Sequence, residues 1–198
     1  VCATQRDEGQ RVPFRDLSQT LPVPRLVVVD ESGCRLGLCP ARARAAPGQR
    51  AFCRHPFRYG KSYSLLASLR ADGTTTSRLV EGTVNRARFE AYITECLAPT
   101  LRPGDIVLFD NVAFHASPLV ESFLHALAVS SLRLPTYSPD LSPIEAAFSK
   151  LKAIVRRLGA ATFDALTKAV AVGLRAISVT DALAWFIHCG YLNIDQPT

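Results

Sequence analysis

Leu26-Val-Val-Val-Asp30 and Ile106-Val-Leu-Phe-Asp110 decide the fold of this 198-residue chain. Each is a short apolar run that closes on an aspartate. Runs of this length, rich in branched residues, read as buried strands. Working outward, residues 62–70 and 74–80 are also strand-like, and Asp72-Gly73 between them is a hairpin signal. The first three strands therefore form an antiparallel meander. Residues 86–101 read as a helix, with Phe89, Ile93 and Leu97 at a four-residue spacing, ended by Pro103-Gly104. The run 106–110 is the fourth strand, 118–127 a helix and 129–134 a fifth strand. Helices follow over 143–158 and 163–177, with a short one over 180–188. Three strands in a meander, then alternating helix and strand, describe an α/β domain with a mixed five-stranded sheet flanked by helices. Residues 1–24 show no period and read as an arm or the remnant of an upstream region, 25–192 as the domain, and 193–198 as a tail. Residues 33–60, rich in Gly, Pro and Arg, read mostly as loop.

A second stretch, Leu134-Pro-Thr-Tyr-Ser-Pro-Asp-Leu-Ser-Pro-Ile-Glu145, ends in a carboxylate at a helix start. Between Asp110 and Glu145 lie 34 residues. Two strand-end aspartates and a helix-start glutamate are the layout of a metal-dependent phosphoryl-transfer site. Two divalent ions roughly 3.5–4 Å apart can activate the nucleophile, stabilise the leaving oxygen and neutralise phosphate charge. Mg²⁺ takes hard oxygen ligands and keeps several waters, so few carboxylates suffice. Glu31, next to Asp30, points to the opposite face of a strand. Ser142-Pro143-Ile144-Glu145 also reads as a capping box, with Glu145 bonding the Ser142 amide. In that helix Ile144, Phe148, Leu151, Val155 and Leu158 should face the core. Glu145, Ser149, Lys152 and Arg156 form another stripe, suited to a phosphate backbone or simply a solvated face. Asn111 suits orienting a water or phosphate, and His115 suits supporting the site or touching a bound polyanion. A loop-ordering hydrogen bond is the plainer reading of each.

Six motifs appear in order over about residues 26–192. They are Val29-Asp30-Glu31-Ser32-Gly33, Leu101-Arg-Pro-Gly-Asp-Ile-Val-Leu-Phe-Asp110-Asn111, His115, Tyr137-Ser-Pro-Asp-Leu141 with Pro143-Ile-Glu145, Phe148-Ser-Lys-Leu-Lys152, and His188-Cys-Gly-Tyr191. Together they resemble the DDE transposases of the mariner-like superfamily, most closely the bacterial insertion-sequence 630 group. The resemblance implies an RNase H-like fold, in which the first and fourth strands are neighbours. It implies Asp30, Asp110 and Glu145 as the catalytic and metal-binding residues, with Asp110 between two Mg²⁺ or Mn²⁺ ions. It implies double-stranded DNA as substrate, both transposon ends and target, and a homodimer on that DNA. It also implies a helix-turn-helix region, which for this chain would be a separately encoded upstream half. The chain departs from the family at Ser142, where Asn is usual, and at Ala116, where Lys is usual. Ser142 is still a good N-cap.

Charge points the same way. Net charge is +6, and no acidic residue occurs between Ser32 and Ala71. That span holds Arg35, Arg42, Arg44, Arg50, Arg54, Arg58, Lys61 and Arg70. Such a block attracts a polyanion, because neutralised phosphates release condensed counterions; a solvated basic loop is the plain alternative. The expected DNA contacts are Arg42, Arg44, Arg50, Arg54, Arg58 and Lys61, with Lys152 and Arg156. The six cysteines form no Cys-x-x-Cys pair and read as scattered thiols. No apolar run reaches the roughly 18 residues of a membrane span, and residues 1–8 are polar, so a cytoplasmic, nucleoid-associated protein is expected. The chain begins at Val1 and contains no Met, as for a fragment or a frame read from an unusual start. Two rival readings are a decayed transposase remnant that binds DNA without turnover and a stand-alone RNase H-like nuclease.

Overall fold

The computed structural model describes residues 7–38, 44–52, 61–112 and 117–191. Its centre is a five-stranded sheet of β1 (Leu26–Arg35), β2 (Ser62–Arg70), β3 (Thr75–Glu81), β4 (Ile106–Phe109) and β5 (Ser130–Arg133), in the order β3-β2-β1-β4-β5. The β1-β2-β3 meander is antiparallel, and β4 and β5 add in parallel beside β1. The neighbouring first and fourth strands are as expected. The hairpin signal also holds: Gly73 takes φ +81° in the β2–β3 turn, and the Thr74 amide donates to Asp72 Oδ1 at 2.8 Å.

Alternation along the strands divides the core in two. On one face Leu26, Val28, Leu65, Leu69 and Leu108 pack beneath α4 (Pro143–Leu158), α5 (Phe163–Arg175) and α6 (Val179–His188). On the other, Val27, Val29, Leu66, Val107 and Phe109 pack against α2 (Arg86–Ala91), the π-helical turn Tyr92–Leu97 and α3 (Pro118–Ala126). α4 and α5 approach closely at Gly173, where an added Cβ would collide with the Leu151 side chain.

The structure corrects the sequence reading at four places. Residues 8–20, read as part of an aperiodic arm, form helix α1 (Glu8–Thr20), capped by Asp7 and carrying Pro13 inside it. Its stripe Arg11, Phe14, Ser18 and Leu21 has helical spacing and is buried, but two of its four members are polar, which hides the period. The first strand runs past Asp30 to Arg35, because β2 continues to pair with it. The helix expected over 86–101 widens into a π turn after Ala91 and closes in a short 3₁₀ turn, Ala98–Thr100. Residues at a strict four-residue spacing drift around an α-helix; the wider turn keeps Phe89, Ile93 and Leu97 buried together. Finally, Leu158 is half exposed rather than core, and Ile154 is buried in the same helix.

Candidate active site

The parallel ladder between β1 and β4 ends at the rung Val29–Phe109. The next residues are Asp30 and Asp110, so they stand side by side, about one strand spacing of 4.8 Å apart. Val28 and Leu108 belong to the core beneath α4, and Val29 and Phe109 to the opposite core. The two-residue period therefore turns both aspartates toward α4 and Glu31 away from it. β4 stops here while β1 continues against β2 alone. A cleft of about 380 Å³ opens at this point, lined by Asp30, Asp110, Asn111, the loop Leu134–Pro139, Ser142 and Glu145. Crevices at the carboxyl ends of parallel strands are where open α/β sheets bind ligands.

Asp30 is half-buried, and its Oδ1 accepts a hydrogen bond from the Glu31 amide at 2.7 Å. Burial pushes its carboxyl pKa up to about 8, and the charge of Asp110 adds to this, followed by Glu31 and Glu145, while the Glu31 amide opposes it. Asp110 Oδ1 accepts from the Val112 amide at 3.4 Å, closing the turn out of β4. Glu145 is the third residue of α4 and is exposed to the cleft.

The expected capping box does not form. Ser142 occupies the N-cap position without a side-chain cap bond. Its amide donates instead to the Pro139 carbonyl at 3.1 Å, at the end of the 3₁₀ turn Pro139–Leu141. A backbone acceptor thus takes the donor that Glu145 was expected to hold, and Glu145 is left to the cleft. Asn111 Nδ2 donates to Thr136 Oγ1 at 3.1 Å, tying the β4 exit to the Leu134–Pro139 loop. That loop carries Tyr137 in the left-handed region, at φ +51°, with its side chain exposed at the cleft.

The basic residues divide. Lys152 and Arg156 follow Glu145 along the half-exposed stripe of α4. The helix runs beside the extended half of β1: the Lys152 charge acts on the Cys34 thiol, and the Gly37 amide donates to the Ala160 carbonyl at 2.8 Å. Arg44 and Arg50 are exposed. Lys61 is exposed but paired with Glu81 at 2.7 Å, beside the Arg35–Ser62 rung, five rungs from Asp30. Arg70 leaves the basic block altogether: it is buried and paired with Asp105 at 2.5 Å. Arg42, Arg54, Arg58 and His115 lie outside the described residues, as does Ala116. Cys34, Cys96 and Cys189 are free thiols.

Among the described residues, no three carboxylate, imidazole or thiol groups converge closely enough to enclose an ion by themselves. The donor set is Asp30, within β1 just past the end of its ladder with β4, Asp110 just past β4, and Glu145 on the α4 wall. All are carboxylate oxygens, which suit Mg²⁺ or Mn²⁺ completed by water rather than a softer metal. Burial lifts Asp30 most, and a divalent cation in the cleft would relieve the repulsion from Asp110 and Glu145 that adds to it.

A mixed sheet of this order, with two aspartates at the end of its β1–β4 ladder and a helix-borne glutamate on the same cleft, defines an RNase H-like domain with a carboxylate cleft. The chain belongs to the DDE superfamily endonuclease family, which matches residues 25–167. The fold is that of the Mos1 mariner transposase catalytic domain: at 18% identity and a TM-score of 0.65, the likeness covers 96% of this chain and 92% of that one. A Mos1 strand transfer complex matches at 22% identity and TM-score 0.71, over 93% of this chain and 57% of that one. A Mos1 paired-end complex with left transposon end matches at 21% and 0.72, over 96% and 62%. The chain thus spans about three fifths of those two transposase chains. No curated protein matches the chain in sequence.

Sequence reasoning missed Arg11, Thr136 and Asp140. Arg11 comes from α1 and is fully buried, with its guanidinium on Ser138 and Asp140. The one available signal was the 3-4-3 spacing of Arg11, Phe14, Ser18 and Leu21.

Proposed function

We propose that the chain is the catalytic core of a DNA transposase of the insertion-sequence 630 group, which cuts transposon ends by hydrolysis and lets the freed 3′-OH attack a target phosphodiester, displacing the target strand's 3′ oxygen. The observation that carries this reading is that Asp30, Asp110 and Glu145 all line one cleft at the end of the β1–β4 ladder. Its support at group level is the Tyr137–Glu145 motif and the 34 residues between Asp110 and Glu145.

Asp30, Asp110 and Glu145 would hold two Mg²⁺ or Mn²⁺ ions. When bound, the ions supply an activated nucleophile, a stabilised leaving oxygen and neutralised phosphate charge. The chain's own residues do the rest. The hydrogen bond to Thr136 sets the Asn111 amide at the cleft wall, where it can orient a phosphate or water. Lys152 and Arg156 extend positive charge away from the carboxylates along α4, a track for one strand's phosphates. Crystal structures of Mos1 transposase with Mn and with Mg, and of its complexes with transposon ends, support both the metal and the DNA substrate. A dimer on DNA and a separately encoded helix-turn-helix half belong to the same proposal, as does action on DNA in the bacterial cytoplasm.

Mn²⁺-dependent nicking of supercoiled plasmid tests it, with Asp110→Ala and chelator as controls. Nicking by the wild type that both controls abolish is the expected result. A folded wild type that stays inactive, even with an N-terminal DNA-binding half supplied, would point instead to a remnant that binds DNA without turnover.

A further inference from the structure

Arg11 on α1 has no exposed surface, yet it reaches the loop that lines the cleft. One of its terminal nitrogens donates to Ser138 Oγ at 2.6 Å and to Asp140 Oδ1 at 3.0 Å; the other donates to Asp140 Oδ2 at 2.5 Å. Nε lies 3.3 Å from Glu8 Oε1. A bidentate guanidinium–carboxylate pair fixes both distance and orientation. What it fixes here is the approach to α4. The Leu141 amide donates to the Ser138 carbonyl, the Ser142 amide to Pro139 and the Glu145 amide to Ser142, at 3.0, 3.1 and 3.2 Å. The turn clamped by Arg11 is thus continuous, bond by bond, with the turn that carries Glu145. A second anchor holds it from behind: the buried Tyr191 hydroxyl donates to the Leu141 carbonyl at 2.9 Å. α1 is itself tied to that segment, Ser18 Oγ donating to the Gly190 carbonyl at 3.3 Å.

We infer that the Arg11–Asp140 pair is a positioning device for the metal site, by which α1 sets the start of α4 and so the place of Glu145 opposite Asp30 and Asp110. The inference rests on the reading of Glu145 as a metal-binding residue. Groups that orient metal ligands from behind commonly change metal affinity about 10–100-fold when altered.

The test uses the whole chain and two readouts: Mn²⁺ affinity by electron paramagnetic resonance, and amide hydrogen exchange over residues 142–146 without metal. Asp140→Asn breaks the pair at its half-exposed end. Because a buried guanidinium left with only the exposed Glu8 as counter-charge destabilises the fold, the double variant Arg11→Met with Asp140→Asn removes both members of the pair, and circular dichroism checks that it folds. The expected result is Mn²⁺ binding weakened at least about tenfold in both variants. Exchange should rise over 142–146 and stay unchanged in β4. A folded double variant with wild-type Mn²⁺ affinity and wild-type exchange would show that the pair serves stability alone, and would overturn the inference without touching the proposed function. A folded wild type that binds no Mn²⁺ would overturn both.

Discussion

At the scale of single residues, Asp30 concentrates the physics of the site. Burial and the neighbouring carboxylates hold its pKa near 8, against 3.8 for an ordinary aspartate. Between those two values the folded chain keeps a proton that the unfolded chain has lost. The folded state then binds more protons, so this group's contribution to stability falls as pH rises from about 4 to about 8 and levels off beyond. Urea midpoints of the metal-free protein should decline across that window, and Asp30→Asn should flatten the decline. Equal slopes in the two proteins would mean that the burial of Asp30 is not what sets its titration. Mn²⁺ should also reduce the slope, because the cation replaces the proton as counter-charge. The aspartates were legible because each closes an apolar run, and Glu145 because it stands at a helix start. Arg11 was not. A buried arginine in a polar-looking segment carries no signal until its partner, 129 residues away in the chain, is known.

Among the elements, β1 and α4 bring Asp30 and Glu145 to a cleft walled mostly by the Leu134–Pro139 loop and the β4 exit. α4 was legible from end to end: Pro143 opens it, and Gly159 closes it at φ +59°. What could not be read was the competition at its N-terminus, where the Pro139 carbonyl takes the Ser142 amide. The capping-box pattern names a donor and an acceptor but not a nearer rival for the donor. The packing of α4 on α5 gives a prediction at this scale. Gly173→Ala gains about 1 kcal/mol of helix propensity. The new methyl, however, must displace Leu151, a residue with no exposed surface, and such overpacking costs about 1–3 kcal/mol. The net expectation is a loss of about 1 kcal/mol in denaturant unfolding, read as a lower midpoint at constant slope. A midpoint at or above wild type would show that Leu151 has room to move.

Across the whole molecule, electrostatics separates binding from chemistry. The basic stripe of α4 leads away from an acidic cleft, so affinity for DNA and turnover should respond to different substitutions. Replacing Lys152 and Arg156 together by Ala should weaken duplex binding and lower the slope of log affinity against log salt by about 2, roughly one per lost phosphate contact. Asp110→Ala should leave that slope unchanged while abolishing nicking. A salt slope insensitive to the double substitution would move the DNA path off α4 and onto Arg44, Arg50 or other parts of the basic block.

The sequence by itself determined the order of the five strands and of the helices from residue 86 onward, the two aspartates that close apolar runs, the start of α4 and the hairpin at Asp72-Gly73. Each of these is written in local pattern: an apolar run with its terminator, a proline at a helix start, a turn dipeptide. Only the tertiary structure decided the register of β1 against β4, whose ladder ends at Val29–Phe109 and so leaves Asp30 and Asp110 as the next residues on each side. It also decided that β1 outruns β4 to open the cleft, that α1 is part of the core, and that Arg70 is spent on Asp105 rather than left for DNA. These outcomes depend on pairings between residues far apart in the chain. Backbone register, burial and charge compensation settle them only once the sheet has assembled.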